Sequence, residues 1–312
     1  MNVLYIIIGL VFLIFGGDWL LKASVNISIK LKISKIVIGM TVVSFATSAP
    51  ELIVSIKSAL EGYPDLALGN VIGSNIANLA LVLGFTTCLG KIDIPKSFYK
   101  IDWPMMMFAS LLLYIFIGFD LVLSQIEGIL LFALLIIFLI YLLKTKANTP
   151  KEENLKTTET PFSKTVFLLL IGGIGLWGGS ELLIKGAVGF AHTIGISERI
   201  IGVTIVSIGT SIPELAASII AIIKREKAIS LGNLIGSNIF NILAVLGITS
   251  IITPIRVKDL HIVSHDLYWL LAVAGVILPL CFLPKRLTFG FKEGIVLLAI
   301  YCAFIYFTVF YS

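Results

Sequence analysis

Residues 34–84 recur without a gap 163 positions further along the chain. SKIVIGMTVVSFATSAPELIVSI (34–56) aligns with SERIIGVTIVSIGTSIPELAASI (197–219), and LGNVIGSNIANLALVLG (68–84) with LGNLIGSNIFNILAVLG (231–247). Glu51 falls on Glu214 and Asn78 on Asn241. A fold for this sequence must therefore be assembled from two copies of one unit, and every polar position in one copy needs a reason that holds in the other.

Both copies are embedded in apolar sequence. Of 312 residues, 58% are apolar and 13% charged, where a soluble domain carries about 25% charged residues. Lipid is then the solvent for most of the chain. A bilayer core of about 30 Å takes about 20 apolar residues per helix. Ten such stretches are present, at 3–22, 36–60, 66–89, 101–119, 125–143, 164–185, 199–223, 229–252, 267–283 and 292–310. The sequence predicts an all-α membrane protein of ten transmembrane helices. The first stretch lacks a basic flank and an A-x-A-like cleavage site, so it reads as a retained helix and not a signal peptide. One long polar connection, KTKANTPKEENLKTTETPFS, forms a linker at 144–163 between five-helix units at 1–143 and 164–312.

Five is an odd number, so the second copy enters the membrane from the opposite face. The expected architecture is two inverted five-helix repeats, with broken helices 2, 3, 7 and 8 around a midplane site, as in many secondary transporters. Ten spans also place both termini on one side. Of the 23 Lys and Arg residues, five (Lys57, Lys185, Arg199, Arg256 and Lys258) fall on the side of the termini and 18 on the side of the linker. The positive-inside rule puts the linker in the cytoplasm and both termini outside. The net charge of +5 thus sets orientation and gives no reason to expect a nucleic-acid partner.

Polar groups stand where lipid should be. Glu51 and Glu214 lie well inside their spans, and an ionised carboxylate there costs several kcal/mol unless it meets a partner or a water-filled cavity. Ser44, Thr47, Ser48, Glu51 and Ser55 fall on one helical face, and Ser207, Thr210, Ser211, Glu214 and Ser218 repeat the stripe. Pro50 and Pro213 lie within the stripes, and each removes a backbone hydrogen bond and leaves a carbonyl in need of a donor or a cation. The second motif adds Asn70, Gly73, Ser74, Asn75 and Asn78, matched by Asn233, Gly236, Ser237, Asn238 and Asn241. Asn78 and Asn241 follow the serine by about one turn and add amide oxygens. Asn75 and Asn238 suit either a ligand or an interhelical hydrogen bond.

The donors collected in this way are carboxylate, hydroxyl, amide and carbonyl oxygens, with neither His nor Cys among them. Such a set suits a hard cation. Calcium takes about six to eight oxygens at roughly 2.3–2.6 Å. Two glutamates neutralise one Ca²⁺ or two Na⁺, so the two kinds of ion compete for one pair of carboxylates, which is a physical basis for exchange. A hydrolase would need a nucleophile with a base or a metal-held water; neither His nor Cys lies in the motifs, and two glutamates alone are poor evidence for one. A channel would need a continuous path.

TSAPEL/TSIPEL and GNVIGSNIAN/GNLIGSNIFN resemble the two signature repeats of the calcium/cation antiporter superfamily, specifically its bacterial and archaeal sodium/calcium exchangers, and the resemblance covers essentially the whole chain. It implies an inner-membrane antiporter, a monomer, whose only bound species are the transported Ca²⁺ and Na⁺, with no cofactor. By motif position, Glu51 and Glu214 become calcium ligands shared with sodium, and Thr47 and Thr210 ligate calcium through their carbonyls. Ser48, Ser211, Ser74 and Ser237, with the carbonyls of Ser44 and Ser207, serve sodium, and Asn78 and Asn241 complete the centre. Spans 1 and 6 slide across this core. Some relatives carry Asp where this chain has Asn241, which leaves one titratable carboxylate fewer here and argues against potassium cotransport. The alternative to sodium coupling is a proton-coupled, or potassium-dependent, exchanger with the same site.

The remaining polar features read as structural. Cys88, Cys281 and Cys302 have no metal or disulfide spacing. His261 and His265 suit interfacial roles. Asp18 and Glu181, at the repeat offset, each have a lysine four residues on, Lys22 and Lys185, and are expected to pair with them.

Overall fold

The computed structural model describes residues 2–146, 161–193, 209–284 and 286–310. Apolar runs of this length leave each backbone group only intrahelical partners in lipid, and eleven helices account for most of the described residues. They are α1 (Asn2–Leu31), α2 (Lys35–Thr47), α3 (Ala49–Leu60), α4 (Pro64–Leu89), α5 (Phe98–Asp120), α6 (Gln125–Thr145), α7 (Phe162–Phe190), α8 (Ile212–Ile223), α9 (Lys227–Ile252), α10 (Ile262–Leu280) and α11 (Phe291–Thr308). Eight are long and apolar enough to cross a bilayer, and α2 with α3 makes a further span bent by 44°. The expected seventh span begins in residues outside the described set, and α8 is its second half.

α4 and α9 are the central helices. Their apolar stretches are 72% and 83% buried, against at most 33% for the six other long helices. Leu68, Ile72 and Leu79 of α4 and Leu231, Ile235 and Leu243 of α9 are at most 1% exposed and share one core with Met106 of α5 and Leu270 of α10. That core draws on both sides of the linker. Expected breaks in spans 3 and 8 are not found: α4 and α9 run on through single π-helical turns, Ala77–Val82 and Asn241–Leu246. Neither span holds an internal proline, so nothing forces a break, and the extra residue is absorbed as a π turn.

α1 and α7 lie against each other along their whole length. At about 1.5 Å per residue each is longer than the hydrocarbon core is thick. Their seam is lined by glycines that meet backbone directly: a methyl at Gly9 would come within 2.7 Å of the Leu183 nitrogen, and one at Gly16 within 2.7 Å of the Leu176 nitrogen. Small residues at such a seam let two helices associate where lipid offers no hydrophobic drive.

Two short ladders depart from all-helix structure. β1 (Ile92–Asp93) pairs antiparallel with β4 (Thr288–Phe289), and β2 (Val122–Leu123) with β3 (Ile255–Arg256). Each ladder ties a segment before the linker to one after it. α6 and α11 follow β2 and β4, and each begins with a glutamate that caps its own first turn. Glu127 Oε2 accepts from the Ser124 nitrogen, and Glu293 Oε2 from the Gly290 nitrogen, both at 2.8 Å.

Candidate cation site

The proline positions explain the geometry at the centre. Pro50 and Pro213 do not kink a continuous helix. Each sits in the first turn of a half-helix, α3 or α8, where its missing N–H has no intrahelical partner to lose. The break falls two residues before each proline, at Ser48 (φ −87°, ψ 2°) and Ser211 (φ −88°, ψ 3°). Glu51 and Glu214 are thereby placed in first turns, where free N–H groups and the helix dipole favour a negative charge. The carbonyl of Ser44 accepts the Ser48 N–H at 2.9 Å and keeps a second lone pair.

Glu51 and Glu214 are both 0% exposed and within Coulombic reach of each other. Ser74 stands against the Glu51 carboxylate, and Thr47, Ser48 and Ser237 against that of Glu214. Ser48 Oγ donates to Glu214 Oε1 at 3.4 Å, so the stripe on α2 serves the carboxylate of the other repeat. Thr47 Oγ1 lies 3.3 Å from Ser237 Oγ, and Ser74 Oγ 3.1 Å from Thr210 Oγ1, two counterpart contacts across the repeat. Of the expected site residues, Glu51, Glu214, Thr47, Thr210, Ser48, Ser74 and Ser237 are therefore brought together; Ser207 lies outside the described residues. Ser44 turns its hydroxyl to the carbonyls of Gly39, at 2.8 Å, and Asn233, at 2.9 Å.

Several buried oxygens at this centre close no hydrogen bond with the described residues: both of Glu51, Oε2 of Glu214, Oδ1 of Asn78, Oδ1 of Asn241 and Oγ of Ser211. A buried polar group costs free energy unless it is paired, and a buried charge costs more. Two such buried carboxylates, with no lysine, arginine or histidine paired to them among the described residues, are matched electrically and chemically by a hard cation.

The amides are oriented by one another. Asn241 Nδ2 donates to Asn75 Oδ1 at 3.0 Å, and Asn75 Nδ2 donates to the Asn238 carbonyl at 3.1 Å. Asn75 thus takes the interhelical role, tying α4 to α9, and its grip on the Asn241 nitrogen leaves that side chain's oxygen free. Asn70 and Asn233 stand in the repeated motif, but their position alone assigns them no role at the site. In the structure Asn70 Nδ2 holds Ser55 Oγ at 3.1 Å, and Asn233 Nδ2 holds Ser218 Oγ at 3.3 Å while its Oδ1 accepts from Thr47 at 3.2 Å. The signal was present, since both asparagines fall in the repeated motif and their partners Ser55 and Ser218 in the polar stripe.

α2 and α9 approach at backbone distance here. A methyl at Gly236 would lie 2.5 Å from Met40 Cα, and one at Gly39 2.5 Å from the Ile229 carbonyl oxygen. Outside the site, Asp18 pairs with Lys22 at 2.6 Å as expected, whereas Lys185 lies over the Tyr5 ring at 5.1 Å. His265 is held by Asp266 at 2.8 Å and Trp269 at 3.1 Å, and the three cysteines are free.

A family model described as sodium/calcium exchanger protein matches residues 1–144 and 164–310. A putative antiporter, CaxA, from Alkalimonas amylolytica is 38% identical over 311 residues, covering 97% of each chain. The sodium/calcium exchanger MaX1 of Methanosarcina acetivorans is 30% identical, again over 97% of each. Among solved structures, the sodium-calcium exchanger NCX_Mj soaked with zero Na⁺ and Ca²⁺ superposes with a TM-score of 0.82 at 31% identity, covering 100% of this chain and 99% of that one.

Proposed function

The chain belongs to the sodium/calcium exchanger protein family, and from that premise we propose that this integral membrane antiporter exchanges Ca²⁺ for Na⁺ by alternating access at the Glu51–Glu214 centre. The observation that carries the reading is the group of buried oxygens, both of Glu51, Oε2 of Glu214 and Oδ1 of Asn78 and Asn241, that have no hydrogen-bond partner among the described residues. In the loaded states Glu51 and Glu214 ligate Ca²⁺ with the carbonyls of Thr47 and Thr210. Ser48, Ser211, Ser74 and Ser237, with the carbonyls of Ser44 and Ser207, hold Na⁺, and Asn78 and Asn241 close the centre. Both ions draw on the same two negative charges, so occupancy by one excludes the other, and each crossing of the barrier carries one kind.

The scaffold for this is read as two inverted five-helix repeats, 1–143 and 164–312, joined by a cytoplasmic linker, 144–163, with both termini outside the cell membrane. Ten spans, a single working copy and the sliding of the α1–α7 pair over the remaining helices complete the reading. The glycine seam supports it, since it makes that pair one stiff body.

The test is Ca²⁺ uptake by proteoliposomes containing the purified protein, driven by an outward Na⁺ gradient, with K⁺ and pH gradients imposed separately. Uptake that requires the Na⁺ gradient is expected. Uptake that ignores Na⁺ and follows a pH gradient would keep the site and transfer the coupling to H⁺.

A further inference from the structure

Where α1 ends its membrane passage, three elements are tied together by charge. Asp18 on α1 binds two lysines, Lys22 on its own helix at 2.6 Å and Lys224, at the end of α8, at 3.2 Å. One residue past the positive-φ turn at Arg225, Glu226 binds Lys35, the first residue of α2, at 3.1 Å. Asp18 and Glu226 keep only 18% and 19% of their side-chain surface, so these pairs are less screened than pairs on open surface. Asp18, Lys22, Lys224 and Glu226, together with Lys164, line one cavity between α1, α7 and the α8–α9 turn.

The repeat predicts what the opposite end should hold, and it holds something different. At the offset of 163 residues Asp18 becomes Glu181, Lys224 becomes Glu61, Lys35 becomes Glu198 and Glu226 becomes Tyr63. Both lysines that cross between elements are replaced by glutamates. Two carboxylates form no ion pair, and Glu61 instead leans toward Lys57 on its own helix at 3.9 Å. Packing follows the same asymmetry. α1 lies along α8, whereas α7 scarcely touches α3, and an apolar cavity of about 690 Å³ opens between them, lined by Ala49, Pro50 and Ile53 of α3 and Gly173, Ile174 and Trp177 of α7.

We propose that Asp18, Lys22 and Lys224, with Lys35 and Glu226, form an ionic latch that closes one end of the transport path, and that the lack of a matching ion pair between elements among the described residues at the other end biases the resting protein toward opening there. The inference rests on the exchange reading above and on its orientation, which makes the latched end cytoplasmic. A helix pair that slides between two end states feels an attractive contact in only one of them. The latch therefore lowers the population of the cytoplasm-open state, and with it the apparent affinity for ions presented from the cytoplasm, because only the competent fraction binds.

The test is ion affinity measured separately from each face, in vesicles of known orientation, for Lys224→Glu, Asp18→Asn and the swapped double variant Asp18→Lys with Lys224→Asp. Each single variant is expected to raise apparent Ca²⁺ affinity from the cytoplasmic face by about two- to fivefold, the range an ion pair of this kind supports, and to lower it from the external face. The swap is expected to restore most of the difference. Changes of equal size and sign on both faces, or a swap no better than the single variants, would overturn the latch. Asp18→Asn is near-isosteric at a partly exposed position, so it keeps the test open if charge reversal impairs folding. If the unmodified protein shows no Na⁺-driven Ca²⁺ flux, the exchange reading fails. If it exchanges normally and the variants show no side-specific shift, the latch alone fails.

Discussion

Gly236→Ala probes the site through the backbone contact between α2 and α9. The added methyl would run into Ser44 Oγ and would lie 2.5 Å from Met40 Cα and 2.7 Å from the Met40 carbonyl oxygen, where carbon contacts normally begin near about 3.5 Å. The Ser44 hydroxyl can rotate away, but the two Met40 atoms are backbone, so no rotamer relieves that overlap, and α2 must part from α9 by about 1 Å. The bond from Ser44 Oγ to the Asn233 carbonyl, now 2.9 Å, would stretch to about 3.9 Å, beyond hydrogen-bond range. Overpacking costs about 1–3 kcal/mol, and the lost hydrogen bond about 1 kcal/mol more. Thr47 and Ser48 ride on or next to α2, so the displacement also separates them from Ser237 and Glu214. A calcium ion bound at about 2.3–2.6 Å does not follow a ligand that withdraws by 1 Å. The expected result is a lower melting temperature and an apparent Ca²⁺ affinity down by at least about tenfold, equivalent to 1.4 kcal/mol, in proteoliposome uptake. Gly275→Ala on α10 is the control, because its methyl meets nothing within 4 Å and helix propensity favours it by about 1 kcal/mol. A Gly236→Ala protein that binds Ca²⁺ with unchanged affinity would refute the idea that backbone contact between α2 and α9 sets the ligand geometry.

Three further perturbations have defined outcomes. Glu51→Gln or Glu214→Gln removes one of two charges that a divalent ion needs, and is expected to abolish Ca²⁺ uptake while the detergent-solubilised protein still elutes as a folded species. Asn75→Ala releases the Asn241 amide and one α4–α9 tie; it should weaken Ca²⁺ binding by about three- to tenfold, the worth of a net buried hydrogen bond, as read by isothermal titration. Glu127→Ala and Glu293→Ala remove the first-turn caps of α6 and α11, each at a cost of about 1 kcal/mol, visible in thermal melting with the ion affinity unmoved.

The sequence made legible whatever depends on one helix at a time. Glu51 and Glu214, their serine and threonine neighbours and the paired motifs could be placed because period and offset locate them without reference to a partner helix. Pro50 and Pro213 were informative about a break, but their first-turn position could not be read, because it depends on where Ser48 and Ser211 leave the helix. The bridge from Asn241 through Asn75 to Asn238 was out of reach for another reason. A motif says which amides are available, and only packing of α4 on α9 decides which of them face each other. Breaks expected in α4 and α9 did not occur, since neither helix holds an internal proline and each continues through a π turn, which a motif does not reveal. The two ladders, at two residues each, are too short to leave an alternating pattern. Asp18 looked like a partner for one lysine on its own helix; its second, Lys224, comes from a distant element.

The ladders bear on how such a chain is made. Ile92 emerges early in synthesis, yet its partner Phe289 belongs to the segment that leads into α11, the final described helix. α11 in turn packs against the last turns of α4. The opening helices must therefore wait in the bilayer with a backbone edge unpaired and a helix face uncovered while nearly all the rest is translated, and lipid alone shields them in the interval. A ribosome that stalls before β4 would release a protein whose earliest helices are fully inserted and whose third span is still unfinished.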